Sequence, residues 1–157
     1  MKNYFLSFLL LCSSYVATAQ KPVQQVPQFV FYKLDKKPFT KHEMLPQKKA
    51  FFVFFDSGCE HCQHAMYEIN LQYKRFNKTE IYLVTLDSPE QIASFMTTYG
   101  PGLIGKKNVM ILRDLRNEFI TDFNPRQYPS MLLFSVKGNL LMYQDDPNRL
   151  PDMFKLL

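Results

Sequence analysis

The stretch Ala50–Phe55 (AFFVFF), followed at once by Asp56–Cys62 (DSGCEHC), decides the fold of this chain. Six apolar residues in a row are typical of a central strand that is covered on both faces. From Cys59 to Phe76 the apolar residues recur at helical spacing, and they form one face of a predicted helix: Cys62, Ala65, Met66, Ile69 and Tyr73. The sequence therefore predicts that two cysteines lie where a buried strand gives way to a helix.

Outward from this stretch, strand-like and helix-like segments alternate along the chain. Further strands are predicted at Phe29–Leu34, Glu80–Leu86, Val109–Leu112, Ser130–Val136 and Leu140–Tyr143. Helices are predicted at Ser88–Tyr99, where Ser88 is the N-cap and Pro89 follows it, and at Leu115–Phe123 and Asn148–Leu157. The segment Phe39–Pro46 has turn and short-helix signals. Because the alternation ends in a hairpin with a turn at 137–139, we expect an α/β fold with a central mixed β-sheet flanked by helices.

Length and composition indicate one compact domain. The chain has 157 residues, of which 46% are hydrophobic and 21% are charged, so a disordered chain is excluded. The 15 Phe and 9 Tyr residues, with no Trp, predict an aromatic-rich core. No segment repeats at a fixed period, which excludes a solenoid or a propeller.

The first nineteen residues have the pattern of a cleaved signal peptide. Lys2 is followed by the short apolar run Phe5–Leu11, and Ala17-Thr18-Ala19 gives a cleavage site before Gln20. The apolar run is shorter than the ~20 residues that span a bilayer, which makes an uncleaved anchor or a buried first element the weaker alternative. We expect a flexible leader at 20–28, a domain at 29–157, and a periplasmic or secreted protein with no membrane span after cleavage.

Cleavage would also change the charge and the number of cysteines. Lys2 is the only charged side chain among residues 1–19, so its removal lowers the formal net charge from +5 to +4. The remaining basic residues are spread along the chain as pairs, and nucleic-acid binding, which requires a clustered basic stripe, is not expected. Removal of Cys12 leaves Cys59 and Cys62, an even number in an oxidising compartment.

The position of the two cysteines predicts thiol chemistry. At the start of a helix, unpaired amide donors and the positive end of the helix dipole favour a thiolate over a thiol. Cys59 is therefore the candidate nucleophile. Cys62 follows one turn later, where it can attack a mixed disulfide on Cys59 and release the partner.

Two other interpretations of these cysteines stay open. They could form a structural disulfide in a secreted interaction domain. They could also be ligands for zinc or copper in a metal-binding protein or metallochaperone, with His61, His64 or His42 as the third ligand. Because no second CxxC or CxxxH pair is present, local residues do not supply a closed four-ligand zinc site.

The strand AFFVFF, the turn Cys59-Glu60-His61-Cys62 and the later Tyr128-Pro129 before a strand together resemble the thioredoxin fold. More narrowly, the chain is similar to the secreted TlpA-like and redoxin-like proteins of bacterial envelopes, over roughly residues 29–157. The resemblance implies a thiol-disulfide oxidoreductase that acts on protein thiols and disulfides with a redox partner protein. It implies that the protein works without a cofactor or a metal, as a monomer. It also implies that Pro129 is cis and that the backbone of Tyr128 pairs with a substrate chain.

The chain departs from the family pattern around the cysteines. Trp is frequent in the resembled family at the position of Gly58. Thioredoxins bury an Asp at the position of Val53, and TlpA-like reductases have a Glu at the position of Ala65. A buried carboxylate would accept the proton of the resolving thiol, so fast reductase turnover is in doubt. Glu68 is a possible replacement, but its place on the helix is equally compatible with a solvated side chain.

The residues between and before the cysteines leave the direction of electron flow open. A charged His61 would stabilise the Cys59 thiolate and make the disulfide more oxidising, whereas Glu60 opposes this effect by like-charge repulsion. Peroxiredoxins share the fold, but their reactive cysteine follows a Thr or Ser by three residues, and this chain has Asp56 there. Disulfide exchange is therefore expected in preference to peroxide reduction.

Overall fold

The computed structural model describes residues 21–157, which form a mixed sheet with helices packed on it. The strands of this part are β1 (Val30–Lys33), β2 (Pro38–Thr40), β3 (Lys49–Phe54), β4 (Thr79–Thr85), β5 (Val109–Arg113), β6 (Ser130–Phe134) and β7 (Leu140–Gln144). Their order across the sheet is β2-β1-β5-β4-β3-β6-β7. β3, β4 and β5 are parallel, and the remaining neighbours are antiparallel. The predicted α/β class and mixed sheet are confirmed.

The α-helices of the described chain are α1 (Glu60–Leu71), α2 (Pro89–Tyr99) and α3 (Leu150–Phe154). α2 begins where the sequence predicts it. The Ser88 side chain accepts a hydrogen bond from the Gln91 N–H at 3.3 Å, and the Gln91 side chain accepts one from the Ser88 N–H at 3.0 Å. None of the helices formed by residues 21–157 has the length and apolar composition needed to cross a membrane.

β3 lies inside the sheet, between β4 and β6, and its side chains alternate between two cores. Phe51, Val53 and Phe55 point to the face that α1, α2 and α3 cover. Phe52 and Phe54 point to the opposite face. The run AFFVFF is therefore buried on both sides, as its composition predicts.

The opposite face, which we call the aromatic face, contains mainly phenylalanine side chains from distant parts of the chain. They are Phe29, Phe31, Phe39, Phe52, Phe54, Phe119, Phe123 and Phe134. A π-helical turn at Phe119–Phe123 closes this face, and the rings of Phe119 and Phe123 stack with centroids 4.5 Å apart. Rings packed at this distance gain specific aromatic contacts in addition to the burial of apolar area.

The segment predicted to be a flexible leader packs on the domain in its described part. Val26 is 3% exposed within the aromatic face, and its N–H donates a hydrogen bond to the Gly138 carbonyl at 2.9 Å. Val23 donates to the Phe123 carbonyl at 3.3 Å, and Gln25 forms an isolated β-bridge with Asn139. Within the leader, an apolar side chain and backbone bonds to distant residues therefore join residues 23–26 to the domain. The predicted signal peptide, 1–19, lies outside the described residues.

Four other elements differ from their predicted extents. The helix predicted to reach Phe76 ends at Leu71, and a short 3₁₀ helix follows at Tyr73–Phe76. The segment Phe39–Pro46 contains the predicted short helix as a 3₁₀ turn at Lys41–Glu43, but its first residues belong to β2, because Phe39 pairs with Phe31 of β1. The helix predicted at 115–123 is shortened to the π-helical turn, and the C-terminal helix is a 3₁₀ turn followed by α3. Pairing and packing with distant residues decide these boundaries.

Candidate active site

Cys59 and Cys62 lie at the junction between β3 and α1. Cys59 is the N-cap of α1 and is partly exposed, whereas Cys62 is only 1% exposed. The first turn of the helix brings them together, because the N–H groups of Cys62 and Gln63 both donate to the Cys59 carbonyl at 3.0 Å. Both cysteines are free thiols in the structure. The more accessible thiol thus lies at the helix N-terminus, and the buried one follows a turn later.

The loop before Cys59 is organised by the carboxylate of Asp56. Its Oδ1 accepts a hydrogen bond from the Gly58 N–H at 2.8 Å, and its backbone carbonyl accepts one from the Cys59 N–H at 3.2 Å. A Cβ atom at position 58 would lie 3.2 Å from the same Oδ1, closer than an ordinary van der Waals contact. Gly58, where the resembled family often has Trp, therefore leaves room for the Asp56 carboxylate over the turn.

A second carboxylate connects this loop to the neighbouring part of the sheet. Asp87, which follows β4, accepts a hydrogen bond from the Ser57 N–H at 2.9 Å. Arg113 in turn donates from Nε to the Asp87 carbonyl at 2.8 Å, and Gln63 of α1 donates to the Ser57 carbonyl at 3.2 Å. Hydrogen bonds to Asp87 on one side and from α1 on the other therefore hold the loop before Cys59. Sequence reasoning missed Asp56 and Asp87 as site residues, although Asp-Ser-Gly is a recognisable Asx-turn pattern.

The environment of Cys62 keeps its thiol protonated. Burial is the main cause that raises the pKa of Cys62, and the nearby charges of Cys59 and Asp56 raise it further. Hydrogen bonding from the Asp56 backbone acts in the opposite direction and is outweighed. Val53 and Ala65 belong to the same core as Cys62, each 1% exposed, so the positions that could supply a buried carboxylate are apolar.

Tyr128 and Pro129 lie at the same end of the sheet as the cysteines. β6 pairs with β3 so that Ser130 is opposite Phe54, which brings the preceding residues alongside the end of β3. The Tyr128–Pro129 peptide bond is cis, as the family resemblance implies. The half-buried Tyr128 ring packs on Phe54 with centroids 4.8 Å apart. Burial raises the pKa of Tyr128, and the charges of Asp56 and Cys62 act in the same direction.

An open cavity adjoins Tyr128. It has a volume of about 170 Å³ and is lined by Phe54, Ile120, Pro125, Arg126, Gln127 and Tyr128. Ile120 belongs to the π-helical turn and is 44% exposed. The cavity is therefore a mostly apolar depression next to the cis peptide bond.

The remaining candidate residues lie on the solvent side of α1. Glu60 and His61, the residues between the cysteines, are exposed in its first turn. His64 and Glu68 face outward as an i,i+4 pair with Nε2 and Oε1 3.9 Å apart. Glu68 is thus not a replacement for a carboxylate in the core beneath Cys62. Within residues 21–157, no group of three or more His, Cys, Asp and Glu side chains is arranged to hold a metal ion.

The fold of this chain is similar to that of solved thioredoxin-like proteins. A thiol-disulfide oxidoreductase from Bacteroides fragilis is 17% identical, with a TM-score of 0.67 over 85% of this chain and 100% of that one. A secreted disulfide oxidoreductase from Mycobacterium tuberculosis is 17% identical, with a TM-score of 0.65 over 83% and 96% of the two chains. A thioredoxin-like protein from Aeropyrum pernix is 12% identical, with a TM-score of 0.67 over 83% and 89%. At these identities the similarity shows a common fold.

The family of this chain is identified from its sequence. No curated protein matches the sequence. The model of the AhpC/TSA family matches residues 22–142, which include β1 to β6, both cysteines and the cis peptide bond. The match extends over most of the domain, so the expected relationship to redoxin-like proteins is confirmed, and the chain belongs to the AhpC/TSA family.

Proposed function

We propose that this protein is a thiol-disulfide oxidoreductase of the cell envelope that exchanges disulfides with protein partners through Cys59 and Cys62. Family membership and the thioredoxin-like fold support an oxidoreductase in general. The observation that carries the more specific proposal is the pair of free thiols, one accessible at the N-cap of α1 and one buried a turn later. A nucleophile followed by a resolving thiol needs this arrangement.

The reaction uses two exchange steps. In the reducing direction the Cys59 thiolate attacks a partner disulfide, forms a mixed disulfide and releases one partner thiolate. Cys62 then attacks the Cys59 sulfur and releases the second partner thiol, which leaves the Cys59–Cys62 disulfide. In the oxidising direction the same steps run in reverse. The redox-active group is the cysteine pair, so the reaction requires no cofactor.

Tyr128 and Pro129 are proposed to bind the partner chain. The backbone at Tyr128 lies beside the cysteine turn, where it would pair with an extended segment, and the adjacent cavity is large enough for an apolar side chain. Glu60 and His61 are proposed to tune the potential of the pair from the exposed side of the turn. The proposed working form is a monomer that a redox partner protein regenerates. Its location in the periplasm or outside the cell is proposed from the signal pattern of residues 1–19.

The test is the equilibrium potential of the Cys59–Cys62 pair, measured by titration against glutathione in the full chain carrying Cys12→Ser, with thiol alkylation as the readout. An exchangeable pair has a potential between about −270 and −120 mV, and its place in this range distinguishes a reductant from an oxidant. A potential well below about −300 mV indicates a structural disulfide and contradicts the proposal.

Three further measurements separate the alternatives. The variants Cys59→Ser and Cys62→Ser should both abolish turnover with a disulfide substrate, and Cys62→Ser should accumulate the mixed disulfide. Stoichiometric zinc or copper on the reduced protein, together with a lack of disulfide exchange, would favour the metallochaperone interpretation. Faster reaction with hydrogen peroxide than with a disulfide would favour a peroxidase.

A further inference from the structure

We propose that Tyr143 is a positioning residue for partner binding: its hydroxyl group fixes the loop of residues 126–130, so that the backbone of Tyr128 is held ready to pair with an extended partner chain. This assignment rests on the proposed function, because it concerns how a partner is bound beside the cysteine pair. It deepens that proposal by naming a residue of a different strand on which recognition of a peptide backbone depends.

Tyr143 belongs to β7, the strand at one edge of the sheet. It is opposite Leu132 of β6, and its half-buried ring packs on the aromatic face. Its hydroxyl oxygen lies 2.9 Å from the backbone nitrogen of Arg126 and 2.8 Å from the side-chain oxygen of Ser130. A single side chain of β7 therefore contacts both ends of the 126–130 loop.

The direction of these hydrogen bonds follows from the donors available. The Ser130 hydroxyl has one proton, which it donates to the Gln127 carbonyl at 2.7 Å. Tyr143 is then the donor in its bond to Ser130, and its oxygen accepts the N–H of Arg126. The chain of bonds runs from the Arg126 N–H through both hydroxyl groups to the Gln127 carbonyl. None of these bonds uses the N–H or the carbonyl of Tyr128, the groups proposed to pair with the partner.

Other contacts from the end of β7 hold the side chains of the same loop. Arg126 donates from Nε to Asp145 at 2.9 Å, and its Cζ lies 4.7 Å from the centroid of the Tyr143 ring. Gln127 donates from Nε2 to the Asp145 carbonyl at 3.3 Å. The Tyr143 hydroxyl differs from these contacts because it holds the loop backbone. Since Ser130 is fully buried, bulk water has little access to replace that hydroxyl.

A fixed loop favours a partner that binds through its backbone. An extended chain gains affinity from main-chain hydrogen bonds, which require donors and acceptors at fixed positions. If a loop must be ordered during binding, the cost reduces the affinity, and a loop that is ordered beforehand avoids this cost. A small disulfide without a peptide backbone makes no such bonds. The Tyr143 hydroxyl should therefore affect recognition of peptides and leave the reactivity of Cys59 unchanged.

The experiment compares three probes that release the same coloured thiolate, thionitrobenzoate. The first is a short extended peptide whose only cysteine carries thionitrobenzoate as a mixed disulfide. The second is this peptide with N-methyl groups on the amides that flank its cysteine, which blocks backbone pairing. The third is the aromatic disulfide DTNB. In each case the Cys59 thiolate forms a bond to the probe sulfur, the bond to thionitrobenzoate breaks, and the absorbance of the leaving thiolate gives the rate.

All proteins are the reduced full chain with Cys12→Ser and Cys62→Ser, so that only Cys59 reacts. The test variant is Tyr143→Phe, which keeps the ring and removes the hydroxyl. The matched control is Tyr73→Phe, because Tyr73 is also half-buried and its hydroxyl bonds to Asn108. Asn108 donates to the carbonyl of Thr79 at the start of β4, whereas the cysteines follow the end of the parallel strand β3. The control therefore loses the same atom at the opposite end of the sheet.

In Tyr143→Phe, the half-saturating concentration of the first peptide should rise by about threefold to tenfold, the factor expected for the net loss of one hydrogen bond. Its limiting rate, and the rates with DTNB and the N-methylated peptide, should change by less than about twofold. Ser130→Ala breaks the same chain of bonds and should have the same effect. Adding it to Tyr143→Phe should then cause little further change. Tyr73→Phe should leave all three probes unaffected.

Three results would overturn the assignment. The first is an unchanged half-saturating concentration of the unmodified peptide in Tyr143→Phe. The second is an equal slowing with DTNB, which indicates a general disturbance of the cysteine turn. The third is an equal effect on the N-methylated peptide, which indicates that backbone pairing is not involved. If the protein that retains Tyr143 releases no thionitrobenzoate even from DTNB, the proposed function itself fails, and the assignment fails with it.

Discussion

The aromatic face gives a prediction whose size can be worked out from the structure. Phe123 is fully buried, and its ring lies within 6.5 Å of five other rings: Phe29, Phe31, Phe52, Phe119 and Phe134. Replacement by Ala removes these contacts and leaves a cavity between the sheet and the N-terminal segment. Substitutions of this kind cost about 3–5 kcal/mol in the free energy of unfolding. Because the Phe123 ring contacts five other rings, the loss in Phe123→Ala should lie in the upper half of that range.

Urea unfolding of Phe123→Ala measures this loss directly, as a lower midpoint with an unchanged slope. For a chain of this length, the corresponding fall in Tm is about 6–20 °C. Ile120→Ala is the matched control, because Ile120 belongs to the same π-helical turn but is 44% exposed. The control should lose about 1 kcal/mol or less. Similar losses for the two variants, or a loss under 1 kcal/mol for Phe123→Ala, would refute the view that this turn closes a core.

Three further predictions concern groups elsewhere in the domain. Burial raises the pKa of Cys62 above its ordinary value of 9.0, so the thiol loses its proton at a lower pH in the unfolded chain than in the folded protein. The free energy of unfolding of the reduced protein should therefore fall as the pH rises above 9. Urea unfolding at pH 8 and pH 10 should show a smaller fall for Cys62→Ala. Lys48→Met leaves the nearly buried Glu80 without the partner that lies 2.6 Å away, and chemical denaturation should show a loss of about 1–3 kcal/mol. Asp114→Ala removes the acceptor of three backbone N–H groups at 2.8–3.2 Å, and thermal unfolding should report a loss of about 2–3 kcal/mol that Asp114→Asn partly restores.

The central part of the fold could be predicted from the sequence because its signals are local. A run of six apolar residues specifies a strand covered on both faces, and Ser88-Pro89 marks the beginning of a helix through its own hydrogen bonds. The turn at Gly138, which has a positive φ of 79°, joins β6 and β7 as expected. In each case the residues that give the signal also make the structure.

The elements that were missed depend on partners far away in the sequence. Phe39 belongs to a strand only because Phe31 pairs with it, and Val26 packs on the domain, where the Gly138 carbonyl of the hairpin turn accepts its N–H. The same applies to the site. The positions of Cys59 and Cys62 were predictable from their spacing, but the contact between Asp87 and the Ser57 N–H joins residues thirty positions apart and has no local signal.

The alternation of side chains along β3 has a consequence for how substitutions combine. Val53 contacts the core that contains Cys62, whereas its neighbour Phe52 contacts only the aromatic face. The backbone of the sheet therefore separates two groups of interacting side chains. Pairs within one group, such as Phe119 and Phe123, should show non-additive energies, and pairs from opposite groups should add. The core that contains Cys62 can then be repacked while the aromatic face continues to hold the fold together.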